Sequence, residues 1–474
     1  MCFFILISIT KAFDFSVIAD ELNAVFFWII KVLSKKERGC FIMKIKEKLR
    51  AVSSLLIAGA MITGLVSCGN AQTDSTDSKN ESSSAPVASN GDTVSVGILH
   101  SQSGTMAMAE APMIEAVEMA IEEINADGGV LGKQISYVLE DGASDAAIFA
   151  EKATKLLTSD KVATIFGCWT SASRKAVLPV VEEQDGLLWY PVQYEGLESS
   201  HNIMYTAPCP NQQAVPAIDY LMENCKGDDG KLKVFLFGSD YVYPRTTNTI
   251  IKGVQKDYGF EIVGEEYIPL GYTDCSTVIT KIQQTKPDVI INTINGDSNV
   301  SFFKQYRDAG LSPDQVQVMS FSAYEEDIRG MGAEYSEGTL FAWNYFQSVD
   351  TDESKKFTEK FKEEFGSDKV TGDPVVNAYE GVYLWKAAVE KAGTFDVEPV
   401  ISACESGSIE ADTPEGKVTI ASGTTHHCLQ KVIVGECNAE GQMDILWETP
   451  DRVEPDPWLT QYSWAKDAGL TGEN

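Results

Sequence analysis

Short apolar runs alternating with amphipathic helical stretches predict an α/β chain of two lobes, each built on a parallel central sheet. Two features favour two lobes over one. About 380 residues follow the hydrophilic segment that ends at residue 92, more than one ordinary core accommodates. The order strand, then Gly and hydroxyl residues, then helix occurs at IFGCWTS and again at FLFGSDY, dividing the chain into two sets.

In the first set, strands are predicted over residues 94–99, 135–139, 162–166 and 187–192, where Val, Ile, Leu and aromatic residues cluster. The second set has strands over 234–237, 261–268, 289–293, 316–321 and 339–343. Between them, apolar residues at three- and four-residue spacing predict helices over 113–125, 146–158, 212–224, 246–258 and 300–309. Gly128, Gly129 and Gly132 punctuate the first return from helix to strand, as helix C-caps commonly do.

Two successive strand ends of the first set are rich in aromatic and hydroxyl groups. One breaks into Cys168, Trp169, Thr170, Ser171, Ala172 and Ser173; the next ends in Trp189, Tyr190, Pro191, Val192, Gln193 and Tyr194. Ligands of open α/β sheets bind beyond the carboxyl ends of the strands, where helix N-termini present free N–H groups. The cluster therefore reads as a small-molecule pocket, although a single tryptophan at a strand end reads as core.

The words GCWTSASRKAVLPVVE and LLWYPVQYEGLE resemble the urea and short-chain-amide branch of the type I periplasmic binding proteins. The resemblance continues through GSDYVYPRTTN, GEEYIPLGYTD, NTINGDSNVSFFKQ, AWNYFQSVDT, NAYEGVYLWKAAVEKAG and ILWETPDRVEPDPW, in order, from Val94 to Trp458. It implies two Rossmann-like lobes joined by a three-segment hinge, with crossings near residues 208–216, 343–348 and 429–435. Helices over 355–365 and 378–392 would return to the first lobe, and strands around 445–447 would close the second. Lobe 1 would then comprise 93–212 with 345–430, and lobe 2 would comprise 213–344 with 431–474.

The resemblance also implies a solute: urea or a similar small amide, delivered to the permease subunits of an ABC transporter. Urea is planar and neutral, and each buried polar group left unmet costs about 1 to 3 kcal/mol. Ser171 and neighbouring backbone N–H groups, with Thr170 before them and the Tyr190 hydroxyl, are expected to face its carbonyl, while Trp169 covers its flat face or packs at the hinge. Gln193, Asn295, Asp297 and Glu325 are the candidate acceptors for its N–H groups, with Asp297 equally suited to capping the helix near residue 300. Tyr241 and Tyr243 would close the cleft from the second lobe. Where similar amide binders place smaller or apolar groups this chain has Val192 and Gln193, which favours urea over longer amides.

The start of the chain reads as export machinery. Met43 opens a basic stretch with Lys44, Lys46, Lys48 and Arg50, an apolar run follows, and Leu65, Val66, Ser67 and Cys68 resemble a bacterial lipobox. Residues 43–67 would be a lipoprotein signal peptide and Cys68 the lipidated first residue, holding the protein to the outer face of the cell membrane. Residues 1–42 fit no clear scheme and are read as a spurious extension ahead of a start at Met43. Residues 68–92, poor in aromatic and large aliphatic side chains, read as a flexible tether with a reach of roughly 25 to 30 Å.

The net charge is −31, and nine basic against five acidic residues up to Cys68 leave about −35 on the remainder, which argues against nucleic acid or anionic membrane as a partner. Seven cysteines follow Cys68, an odd number without a CxxC spacing, and Cys428 and Cys437 are the pair that neighbouring strands could place face to face. His426 and His427 are adjacent, so a strand would turn them to opposite faces as ordinary surface or interface histidines unable to chelate one metal together. With no His-rich metal set and no Ser-His-Asp context, no catalysis, resident metal or cofactor is expected. The rival readings are a binding protein for other short-chain amides or branched-chain amino acids, and an amide sensor.

Overall fold

The computed structural model describes residues 93–225, 227 and 230–471; the expected signal, Cys68 and the tether lie outside the described residues. The first lobe is centred on a five-stranded sheet of order β2-β1-β3-β4-β5, with β1 Thr93–His100, β2 Gln134–Asp141, β3 Ile165–Gly167, β4 Leu188–Tyr190 and β5 Ile203–Tyr205. All of its neighbours run parallel. The second lobe holds β6 Lys233–Ser239, β7 Glu261–Ile268, β8 Val289–Thr293, β9 Gln317–Ser320, β10 Leu340–Trp343, β13 Ile433–Cys437 and β14 Met443–Glu448. Their order is β14-β13-β10-β9-β8-β6-β7, parallel from β7 to β10 and antiparallel at β13 and β14.

The helices bury one stripe each against these sheets. In α1 (Ala107–Ala126) the stripe is Met113, Val117, Ile121 and Ile124; α2 (Ala146–Thr158) uses Phe149, Ala153 and Leu156. Asp145 starts α2 by accepting from the Ala147 and Ile148 N–H groups, a cap contributing about 1 kcal/mol. The remaining longer helices are α3 (Ser171–Glu183), α4 (Ala214–Asn224), α5 (Val242–Tyr258), α6 (Ser276–Thr285) and α7 (Asp297–Asp308). They are followed by α8 (Glu325–Met331), α9 (Ala333–Ser336), α10 (Asp352–Phe365), α11 (Asp373–Ala392), α12 (Val397–Glu405) and α13 (Ser463–Asp467). Charged α10 turns only Ser354, Phe357 and Phe361 inward, whereas α11 is buried along most of its length.

The chain crosses between the sheets after β5, after β10 and again before β13. The last crossing is shorter than expected, because Ile433 already pairs with Trp343 in the second sheet. Strand β5 and the hairpin of β11 (Glu410–Thr413) with β12 (Gly416–Thr419) carry too little pattern in three or four residues each to be foreseen. Helix α1 starts six residues before its predicted start, running through Pro112. Cys428 and Cys437 are both free, contrary to the pairing considered for them, as are the other five cysteines of the described residues. His426 and His427 are buried, 1 % and 0 % exposed, rather than at the surface. Among the described residues no helix is long and apolar enough to cross a membrane.

Candidate functional site

The order β7-β6-β8-β9-β10 in the second lobe repeats β2-β1-β3-β4-β5 in the first, so both sheets reverse direction of winding beside their first strand. Such switch points open a crevice at the carboxyl ends of the strands. The segments leaving β3, β6 and β8 at these points carry Trp169 to Ser171, Tyr241 to Tyr243, and Asn295.

Backbone geometry aims the first of these segments. Gly167 packs so tightly on β1 that a Cβ there would lie 2.1 Å from the Leu99 carbonyl oxygen. Cys168 next adopts a left-handed φ of 68°, rare for a residue with a side chain, while its N–H donates to Leu99 O at 2.9 Å. The chain thereby leaves the sheet abruptly, Trp169 swings toward the second lobe, and Thr170 caps α3 by accepting from the Ser173 N–H at 3.0 Å.

Two side-chain hydrogen bonds cross between the lobes here, and a third joins one of them from within the second lobe. Trp169 Nε1 donates to Asn295 Oδ1 at 3.2 Å, Gln193 Nε2 donates to the Phe321 carbonyl at 3.0 Å, and Tyr243 donates to that same carbonyl at 3.2 Å. Trp169, Gln193, Tyr243 and Asn295 are each at most 3 % exposed. Tyr324 lies beside the indole, ring centroids 5.7 Å apart, and its hydroxyl donates to Ala109 O of the first lobe at 2.8 Å. Asn295 is braced by its own N–H, which donates to Ser239 Oγ at 3.0 Å. The Gln193 Oε1 atom is buried with no hydrogen-bond partner.

Behind this layer is a buried charge cluster. Arg174, fully buried, donates to Glu198 at 2.7 Å, to Glu195 at 3.1 Å and to Ser171 Oγ at 3.0 Å, and lies over the rings of Tyr190 and Tyr194. Ser171 in turn donates to Glu195 Oε2 at 2.5 Å. Burial alone would raise the Glu198 carboxyl, but Arg174 and Lys175 outweigh it and hold it down at about 2. Burial raises the Tyr241 hydroxyl, with Tyr190, Tyr243 and Glu195 adding to the shift.

The expected site residues thus divide. Trp169, Gln193, Tyr243 and Asn295 come together, with Tyr241 beside Tyr243 at 6.3 Å between ring centroids. Ser171 and Tyr190 lie one layer back and their hydroxyls are committed, Ser171 to Glu195 and Tyr190 to the Trp169 carbonyl at 2.6 Å. They position the site rather than offering the free donors expected of them. Thr170 caps its helix. Asp297 is exposed in the first turn of α7, where Gly296 and not Asp297 is the capping residue. Glu325 faces the second crossing: its Oε1 accepts from the Gln347 N–H at 2.8 Å, and its Oε2, without a partner, lies where a Cβ on Gly372 would come within 2.3 Å. Burial raises its carboxyl to about 7.

Arg174, Glu195, Glu198, Tyr324 and the Phe321 carbonyl were not foreseen. Arg174 was legible as the residue one helical turn after Ser171, and Glu195 as the acid two places after Gln193. A backbone carbonyl leaves no trace in sequence.

The family described as Periplasmic binding protein domain matches residues 94–464, and the chain belongs to it. Leu/Ile/Val-binding protein homolog 7 of Brucella melitensis biotype 1 is 26% identical over 337 residues, covering 67% of this chain and 82% of that protein. Among solved structures, a solute binding protein of an ABC transporter from Rhodopseudomonas palustris HaA2 in complex with p-hydroxybenzoic acid has a TM-score of 0.69 at 25% identity. That match covers 78% of this chain and 100% of the other. The branched-chain amino acid transporter substrate binding protein of Streptococcus pneumoniae, in complex with isoleucine, has a TM-score of 0.65 at 22% identity over 77% of this chain and 100% of the other, a likeness of fold.

Proposed function

We propose that this chain is the extracytoplasmic receptor of an ABC importer, held to the membrane through Cys68, and that its solute is urea or an amide of similar size. The supporting observation is electrical. The hydrogen bonds that join the lobes at Trp169 and Gln193 are made by neutral groups throughout: the Trp169 indole, the Gln193 and Asn295 amides and the Phe321 carbonyl, with the Tyr243 hydroxyl beside them. Behind these groups the Arg174 guanidinium is shared between Glu195 and Glu198, while the buried Glu325 carboxyl stands at the second crossing against the Gln347 N–H.

An amino acid or aromatic acid brings a carboxylate that needs a counter-charge, and desolvating it unpaired is costly. A neutral diamide needs only donors and acceptors. The Trp169 N–H and Tyr243 hydroxyl suit its carbonyl; Gln193 Oε1, Asn295 Oδ1 and the Phe321 carbonyl suit its N–H groups. Binding would exchange direct bonds between the lobes for bonds through the solute, favouring a closed form that a permease recognises.

The second reading is a branched-chain amino acid, favoured by the name of the Brucella relative. Titrating intrinsic tryptophan fluorescence with urea, formamide, acetamide, isoleucine and 4-hydroxybenzoate separates the two, since Trp169 stands in the contact. Saturation by urea or a small amide supports the proposal; saturation by isoleucine or 4-hydroxybenzoate alone overturns it.

A further inference from the structure

On the first lobe, away from the contact between the sheets, the loop before β5, helix α12 and the loop after β12 bring His201, Glu405 and His426 together. A ring nitrogen of each histidine and a carboxylate oxygen of Glu405 all lie within 4.8 Å of one another. The imidazole rings of His201 and His426 stand 5.7 Å apart between centroids.

The hydrogen bonding of these rings leaves a chemical gap. His426 Nδ1 lies 2.9 Å from the Ser200 carbonyl, and because a carbonyl only accepts, Nδ1 carries the hydrogen. In a neutral ring Nε2 then carries a lone pair, and that atom faces Glu405 Oε1, another acceptor, at 3.0 Å. Two acceptors meet at that distance only with a proton or a cation between them. His201 is arranged alike: its Nε2 lies 3.1 and 3.2 Å from the two oxygens of Glu398, which fixes the hydrogen on Nε2 and leaves the lone pair on Nδ1.

Each imidazole therefore has one nitrogen held by an oxygen acceptor and the other free to ligate, the second-layer arrangement that orients metal-bound histidines. Glu398 and Glu405 are seven residues apart on α12, two helical turns, so both face the histidines. His426 itself holds a left-handed φ of 58° that brings its ring, 1 % exposed, against Ser200 and Glu405 while His427 turns to Tyr194.

We propose that His201, His426 and Glu405 form a binding site for a divalent transition-metal ion of the zinc class, with solvent completing the coordination and Glu398 orienting His201 from the second layer. Two imidazoles and a carboxylate suit such an ion, and ligand atoms within 4.8 Å of one another need only a side-chain adjustment at half-exposed His201 to reach bond lengths of about 2.0 to 2.2 Å. The site ties α12 to the loop before β5 and the loop after β12, away from the proposed solute contact.

The test uses the exported chain, stripped with a chelator and kept reduced, titrated with zinc chloride by calorimetry and with cobalt by absorption. One equivalent is expected to bind, with d–d bands of a nitrogen and oxygen site and no thiolate-to-cobalt charge transfer. His201→Ala, a change at a half-exposed residue, is expected to weaken zinc at least tenfold, and Glu405→Gln likewise, with circular dichroism unchanged. Binding that survives both substitutions, a thiolate band, or no binding to the wild-type chain overturns the proposal and leaves a protonated His426 paired with Glu405.

Discussion

Trp169 and Asn295, 126 residues apart in the chain, are joined by a 3.2 Å hydrogen bond from indole Nε1 to the amide Oδ1, which links the switch point of one sheet to that of the other. Each residue owes its place to backbone at a strand end: Cys168 turns the chain before Trp169, and Ser239 holds the Asn295 N–H. Under the proposed function, a solute entering between the lobes would meet this pair.

Trp169→Phe keeps an aromatic face and removes the donor, and Asn295→Ala removes the acceptor. Each is expected to weaken solute binding about tenfold, equivalent to ~1.4 kcal/mol, by calorimetry. Unchanged affinity in both variants would remove the pair from the site.

Arg174 neutralises Glu195 and Glu198 inside the first lobe. Arg174→Met leaves the buried Glu195 and Glu198 with only the partly exposed Lys175 as counter-charge and is expected to cost roughly 3 kcal/mol of stability. Guanidinium denaturation is the measurement, since urea is the proposed ligand. Adding Glu195→Gln and Glu198→Gln should restore part of the loss; a single variant as stable as wild type would show that the cluster is solvated.

His427 is buried against Tyr194 and Tyr205, its Nε2 2.7 Å from the Tyr194 hydroxyl. Burial, reinforced by His426 and Arg174, lowers its imidazole from 6.5 to about 3. Above 6.5 the ring is neutral folded and unfolded alike, so its contribution is fully present; as pH falls from 6.5 toward 3 the unfolded chain takes up a proton that the folded chain refuses, and stability is lost. The difference in unfolding free energy between wild type and His427→Gln should therefore shrink steadily on acidification through that window. A difference independent of pH would contradict this.

Glu325 has the opposite sign. Burial raises its carboxyl from 4.5 to about 7, so its contribution is present below 4.5 and lost as pH rises through 7. Glu325→Gln keeps an oxygen for the Gln347 N–H and is expected to raise the melting temperature at about pH 8 while leaving it little changed near pH 5. Because this side chain faces the second crossing, its effect on solute affinity should follow the closing equilibrium rather than direct contact. A variant that loses affinity without any change in pH-dependent stability would return Glu325 to the binding surface.

The α/β alternation was legible because the strands are short, apolar and bounded by Gly and hydroxyl residues; β7, β8 and α2 fall where the sequence places them. The three-residue strand β5 and the β11–β12 hairpin were not, since their pairing partners rather than their own pattern make them strands. In the site, Trp169, Gln193, Tyr243 and Asn295 were legible as polar and aromatic groups at strand ends. The roles of Ser171, Tyr190 and Glu325 were not, because whether a hydroxyl or carboxylate faces a cleft or an internal partner depends on groups such as Arg174, the Trp169 carbonyl and the Gln347 N–H.

Under the proposed function, the contact between the lobes takes a small neutral amide. Isothermal calorimetry of the exported chain with urea, and in parallel with isoleucine, tests it most directly. One urea should bind per chain, with affinity reduced by Trp169→Phe, and isoleucine should give no heat; saturable isoleucine binding with urea inert rules out a neutral-amide site.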